Sequence, residues 1–216
     1  MQFEILKSHE GLVILGATQD FRVFQEIIHD VNERSPIIED KEGVFLGLAY
    51  DFRKAFEGTR VIRKPKRGEG LESTLVGFDI LWPSILIQTR MLRVAMGFID
   101  STKQHQVLAY ALEDIIEKAL PQDFKSQSDL ILEAYRQLDP AHPWLDAKAS
   151  SRIEHWYKWN KATREEHFVE LLESLDPVFA FHYESRISHG EFVFMSPAQW
   201  DASDDDGIDP SPTRRH

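Results

Sequence analysis

From residue 83 to residue 99 the apolar residues run almost all the way around a helix. Ile85, Leu92, Met96 and Ile99 share one face, and Ile87, Met91, Val94 and Phe98 share the next. Such a helix has no broad wet side and must lie inside the molecule. Pro83 suits its first turn, where a missing N–H donor costs nothing. The polar ridge carries Arg90 and Arg93, three residues apart and so on one side. With Gln88 they make the run too polar for a membrane span, which needs about 20 mostly apolar residues. The rest of the chain has to supply layers around this helix, and 216 residues suffice to bury a core of that kind.

The layers can be read from changes of period. Phe3-Glu4-Ile5-Leu6 and Leu12-Val13-Ile14-Leu15 flank a Ser8-His9-Glu10-Gly11 turn and read as a β-hairpin. Phe21, Phe24, Ile27, Ile28 and Val31 then form a helical stripe that ends before Pro36. A second helix spans 44–57, with Gly58 at its C-terminal cap. Strands follow at 60–63 and 75–80, then the buried helix, then an antiparallel helix that Thr102 and its neighbours cap and Pro121 ends. Shorter helices are predicted over 129–138, 145–160 and from 163 to Pro177. Residues 178–183 and 192–195 flank Gly190 and read as a final strand pair. The fold class expected is α+β: a mainly antiparallel sheet of three strand pairs, packed against a buried helical hairpin and further helices. Residues 1–198 are expected to form a single domain, and 199–216 a disordered acidic tail.

Composition excludes several chemistries. There is no cysteine, so disulfides, thiolate catalysis and Cys-ligated metals are out, and a reducing cytoplasm is the natural setting. The first residues lack the basic and apolar regions of a signal peptide. With 25 basic and 36 acidic residues the net charge is −11, which disfavours nucleic acid and anionic membrane. The exception is the stretch holding Arg60, Arg63, Lys64, Lys66 and Arg67, either a solvated loop or a site for a small anion. No dinucleotide-binding glycine pattern, Walker loop, nucleophile elbow, zinc-protease motif or EF-hand is found. No cofactor and no metal are expected.

Three sets of residues could still carry function. His182, Glu184 and His189 on a hairpin would resemble a two-His-one-carboxylate set, against the plainer reading of a solvated strand face. Asp79, inside an apolar strand, could meet Arg90 or Arg93, against a structural ion pair. The most distinctive stretch runs from Arg152 through His155, Trp156 and Tyr157 to Trp159. On a helix its aromatics point to more than one face, so they cannot all enter one core. Large amphipathic rings beside arginine are typical of interface hot spots. The candidate binding residues are therefore Arg152, His155, Trp156, Tyr157 and Trp159, with Arg63, Arg67, Arg90 and Arg93 as cationic candidates.

Two further stretches carry a resemblance. Ser35-Pro36-Ile37-Ile38-Glu39-Asp40-Lys41-Glu42-Gly43, followed by Leu46-Gly47-Leu48-Ala49-Tyr50-Asp51-Phe52-Arg53-Lys54-Ala55, is one. Gly77-Phe78-Asp79-Ile80-Leu81-Trp82-Pro83 is the other. Together they resemble an uncharacterised bacterial family, a domain of unknown function, over the first half of the chain. That resemblance implies only a bacterial, cytoplasmic origin and carries no activity over to this chain. The expectation is a non-enzymatic interaction protein of accessory, regulatory or immunity type, binding a protein partner or itself. The alternatives are a small hydrolase, metal-dependent or not, and a small-anion sensor.

Overall fold

The computed structural model describes residues 1–64 and 74–202. Strands β1 (Gln2–Ile5) and β2 (Gly11–Gly16) form the first hairpin, and β3 (Val61–Arg63) and β4 (Leu75–Leu81) form the second. β2 pairs with β4, so the sheet has the order β1-β2-β4-β3 and is antiparallel throughout. The fold is α+β. Gly77 lets the two hairpins meet closely. A Cβ there would lie 2.4 Å from the Ile14 carbonyl oxygen and 2.6 Å from the Leu15 side chain.

Helices α1 (Thr18–Arg34) and α2 (Val44–Phe56) pack against each other, and α2 lies on β4. Their phenylalanines form one edge-to-face cluster with the sheet: Phe52 meets Phe21 and Phe78 at 5.1 Å between ring centroids in each case. Helix α3 (Trp82–Ala95) leaves β4 without a loop and touches α2, α4 (Lys103–Phe124), α5 (Ser128–Gln137) and α6 (Pro143–Lys158). Its all-round apolar pattern is answered by helices on several sides. After α7 (Lys161–Glu173) come α8 (Phe179–Ser188) and the short α9 (Pro197–Asp201).

The expected final strand pair is absent, and residues 178–195 need correcting. Residues 179–188 are helical and 192–195 pair with no strand. Asp176 accepts a hydrogen bond from the Val178 N–H, 2.8 Å, and starts the helix. Gly190, at φ +78°, follows its end, where the Glu191 N–H reaches back to the Arg186 carbonyl. A glycine with positive φ serves a helix stop as well as a hairpin turn, and a short apolar run alone does not separate the two cases. The expected boundary at 198 also falls early. Trp200 and Ala202 are buried, and Trp200 belongs to the same apolar core that includes Leu12. Residues 203–216 of the expected tail lie outside the described residues.

Pro121 does not end α4, which runs on to Phe124. A proline in a helix costs a hydrogen bond and a ring clash. What the extra turn delivers is Asp123 and Phe124. Asp123 Oδ1 lies 2.6 Å from His9 Nδ1, and its Oδ2 accepts from Trp82 Nε1 at 2.7 Å. Phe124 stacks on the His9 ring at 4.8 Å. Ser8 and His9 both hold positive φ, 59° and 54°, a conformation that costs a non-glycine residue about 1–3 kcal/mol. Replacing Asp123 by alanine strips the partner from two buried groups and the support from this turn. The Asp123→Ala variant is expected to lose about 3–5 kcal/mol of unfolding free energy in urea titrations. A loss under about 1 kcal/mol would show that the turn does not depend on the carboxylate.

Candidate functional site

The aromatic stretch of α6 faces inward, which corrects the expectation of an exposed ring surface. Arg152 is 1% exposed. Its Nε donates to Ser174 Oγ at 3.0 Å, and Nη1 donates to the Trp200 carbonyl at 3.0 Å and to Asp201 at 2.5 Å. Burial pulls its pKa down, and the Asp201 carboxylate holds it up. His155 Nε2 lies 3.1 Å from the Trp200 carbonyl, and burial lowers its pKa. Trp156 donates its Nε1–H to the Glu10 carbonyl at 2.8 Å, and its ring packs on Phe168. Trp159 packs edge-on against Phe194 and Trp200. These four residues staple the C-terminal segment and the N-terminal turn to α6. Only Tyr157 faces water, 73% exposed.

The cationic candidates are separated and engaged. Arg63 grips Glu4 with both nitrogens, 2.9 and 2.7 Å, across the outer face of the sheet. Asp79 acts electrostatically on that same arginine. Arg93 grips Glu113 and donates to Gln106 Oε1 at 2.9 Å, while Arg90 donates to the Leu138 carbonyl at 3.0 Å. Arg67 lies outside the described residues. His182 and Glu184 sit two apart on helix α8 and so point to opposite sides. Among the described residues no group of three or more His, Asp or Glu could hold a metal ion.

The described surface is most open around α8. That helix buries Phe179 alone, through which it rests on the body of the protein. On its outer side Phe181 is 72% exposed, and beyond its end Phe192 is 76% exposed; Val178 and Ile187 are exposed as well. Beneath α8, between it, α5 and the end of α7, lies a cavity of about 340 Å³. Leu138, Leu172 and Phe179 give it apolar walls, and Glu173, Asp176 and Arg186 bring charge to it. Arg186 donates to Glu191 at 3.1 Å and lies 3.9 Å from Glu170. Burial raises the Glu173 pKa; Arg186 pulls it down, Glu170 pushes it up and His182 pulls it down. No reading of the residues singled out Glu173, Asp176, Phe181 or Phe192. The Asp176-Pro177 pair was the one available sign, since it opens a helix as readily as it closes the one before. His9 and Asp123, 114 positions apart, gave no local sign at all.

A family model described as Domain of unknown function (DUF6904) matches residues 1–177. No curated protein and no solved structure matches the chain. The matched span stops just short of α8, so one wall of the cavity lies inside it and the other beyond it. No helix among the described residues is long and apolar enough to cross a membrane.

The basic stretch makes one further contact of consequence. Arg60 lies 3.5 Å from Asp51, whose pKa burial pushes up to about 6 against the pull of that arginine. A carboxyl whose folded pKa exceeds its unfolded value destabilises the fold as it ionises. Stability contributed by the neutral acid is complete below pH 4 and is lost as pH rises through 6. An Asp51→Asn variant should match the original protein in thermal unfolding below pH 4. It should exceed it by about 1–2 kcal/mol above pH 7, after allowance for solvent screening. Equal stability at both ends would show that Asp51 is fully solvated.

Proposed function

We propose that this chain, which belongs to that family of unknown function, is a non-enzymatic interaction protein that takes a protein partner on the α8 end of the molecule. Its role is accessory, regulatory or immunity-type, in the reducing cytoplasm of a bacterium. The observation that carries the reading is the exposure of Phe181, 72%, on a helix that contributes one ring to the core, and of Phe192, 76%, in the segment that follows it. Removing a phenylalanine side chain from water is worth about 1.5–3 kcal/mol. Four large apolar side chains exposed within residues 178–192, Val178, Phe181, Ile187 and Phe192, are the kind of surface that marks contact sites. Aromatic residues also dominate interface energetics. The charge of −11 repels nucleic acid and anionic lipid at long range and favours a partner that is not acidic. Tyr157, the member of the α6 stretch that faces water, is a secondary contact at most.

The test compares amide hydrogen exchange of the full chain alone and with the partner it captures from its own cells. Protection is expected over 178–192, and the Phe181→Glu, Phe192→Glu double variant should lower capture at least about tenfold, as loss of roughly 1.4 kcal/mol would. Protection confined to other regions, or capture unchanged by the double variant, overturns the reading. A homodimer dispersed by the same variant replaces the foreign partner by a second copy.

A further inference from the structure

We propose that the cavity beneath α8 receives an arginine or lysine side chain of the partner, so that the docking face selects a basic protein surface. This rests on the reading that the partner docks at α8. The cavity is large enough for such a side chain, at about 340 Å³, near the lower end of the range for ligand pockets. Leu138, Leu172 and Phe179 offer the apolar wall along which a three- or four-carbon stem lies. Glu173 and Asp176 offer the charge for its head.

The charge balance decides the sign. The cation that lines the cavity, Arg186, already meets Glu191 and Glu170. Counting those two with Glu173 and Asp176, four carboxylates face one guanidinium. An anion brought here would find the one guanidinium among the described lining residues already engaged and would be repelled by the carboxylates. The Glu173 carboxylate accepts no hydrogen bond and makes no ion pair among the described residues, while its backbone carbonyl takes the Asp176 N–H at 2.9 Å. It carries a burial cost that Arg186 only partly offsets. Asp176 spends one oxygen on the Val178 N–H and keeps the other. A guanidinium or ammonium between them would relieve the first and use the second. Phe181 lies two positions from Phe179 and so on the opposite side of α8, and the cavity selects the basic residue by its own apolar wall and carboxylates. The net charge of the chain draws such a partner in from a distance.

The experiment uses n-butylguanidinium as a stand-in for the arginine side chain, with neutral n-pentanol and anionic pentanoate as controls. Each is titrated into the full chain and followed by amide chemical shifts. Saturable shifts over 134–138 and 172–186 are expected for n-butylguanidinium, with a Kd on the order of 1–10 mM. It should bind at least about fivefold more tightly than n-pentanol, and pentanoate least well. Glu173→Gln keeps the side-chain size and breaks no hydrogen bond of the Glu173 carboxylate, so it leaves the fold in place, and that variant should erase the preference for the cation. The same variant should weaken the captured partner about fivefold while leaving protection over 178–192 in place. Equal binding of the three probes, tighter binding of pentanoate, or a preference unchanged by Glu173→Gln overturns the proposal. If it fails while α8 protection persists, the docking reading stands without it. If the probe binds but no partner protects α8, the docking reading falls and takes the basic partner with it.

Discussion

The turn at residues 8–10 holds the sheet to the helices. Its two left-handed residues, Ser8 and His9, would relax if left alone, because neither is a glycine. They are fixed by contacts from four helices. Trp82 at the start of α3 donates its backbone N–H to the Glu10 carbonyl, and Trp156 of α6 donates its indole N–H to the same oxygen. Arg164 of α7 donates to the Ser8 carbonyl at 3.0 Å, while its other nitrogens reach the Trp156 and Tyr157 carbonyls at the end of α6. Asp123 of α4 holds the His9 ring. Each of these is a buried or part-buried polar contact whose loss leaves a group unpaired, which costs more than the bond itself contributes. Sheet and helices therefore share one set of constraints, and local strain persists because so many partners over-determine it.

That arrangement explains why the aromatics of α6 could not be read correctly from their spacing. Rings on two faces of a helix do exceed what a single core can take. α6 lies between two partners: Trp156 meets Phe168 and the turn at residues 8–10, and Trp159 meets Phe194 and Trp200. The second partner lies far along the chain from α6, across two intervening helices, so its contribution to the core is invisible locally. Helices α1 to α3 and the first two strand pairs were legible because each is a long or clearly periodic segment with an unambiguous stop. Residues 178–195 were not. The same glycine, the same short aromatic run and the same proline fit a hairpin and a helix alike, and packing decided between them.

Charge shows the opposite relation between sequence and site. The count of basic and acidic residues was plain, but the use made of the cations was not. Arg63, Arg93, Arg152 and Arg164 are spent on carboxylates or backbone carbonyls of the chain itself. Arg152 and Arg164 are buried while they do so. An arginine placed that way is a multidentate clamp, suited to tying together segments whose carbonyls have no strand or helix partner. With Arg152 and Arg164 turned inward, two positive charges are withdrawn from the described surface.

The same accounting sets α8 apart from the rest of the fold. Elsewhere each helix buries several large side chains or donates buried polar groups to a neighbour. α8 contributes Phe179, a half-buried Tyr183 and the Arg186 contacts. Local opening follows the amount of buried surface and the number of protected contacts, so α8 is the element that can separate from the body before the core does. A helix with that little holding it gains more from a partner than any other part of the surface. It also gives up least when its exposed rings and the cavity behind them are covered. The physical reason to expect binding there is thus the same as the reason the segment was hard to assign from sequence. Its own chain supplies too few contacts to determine what it does alone.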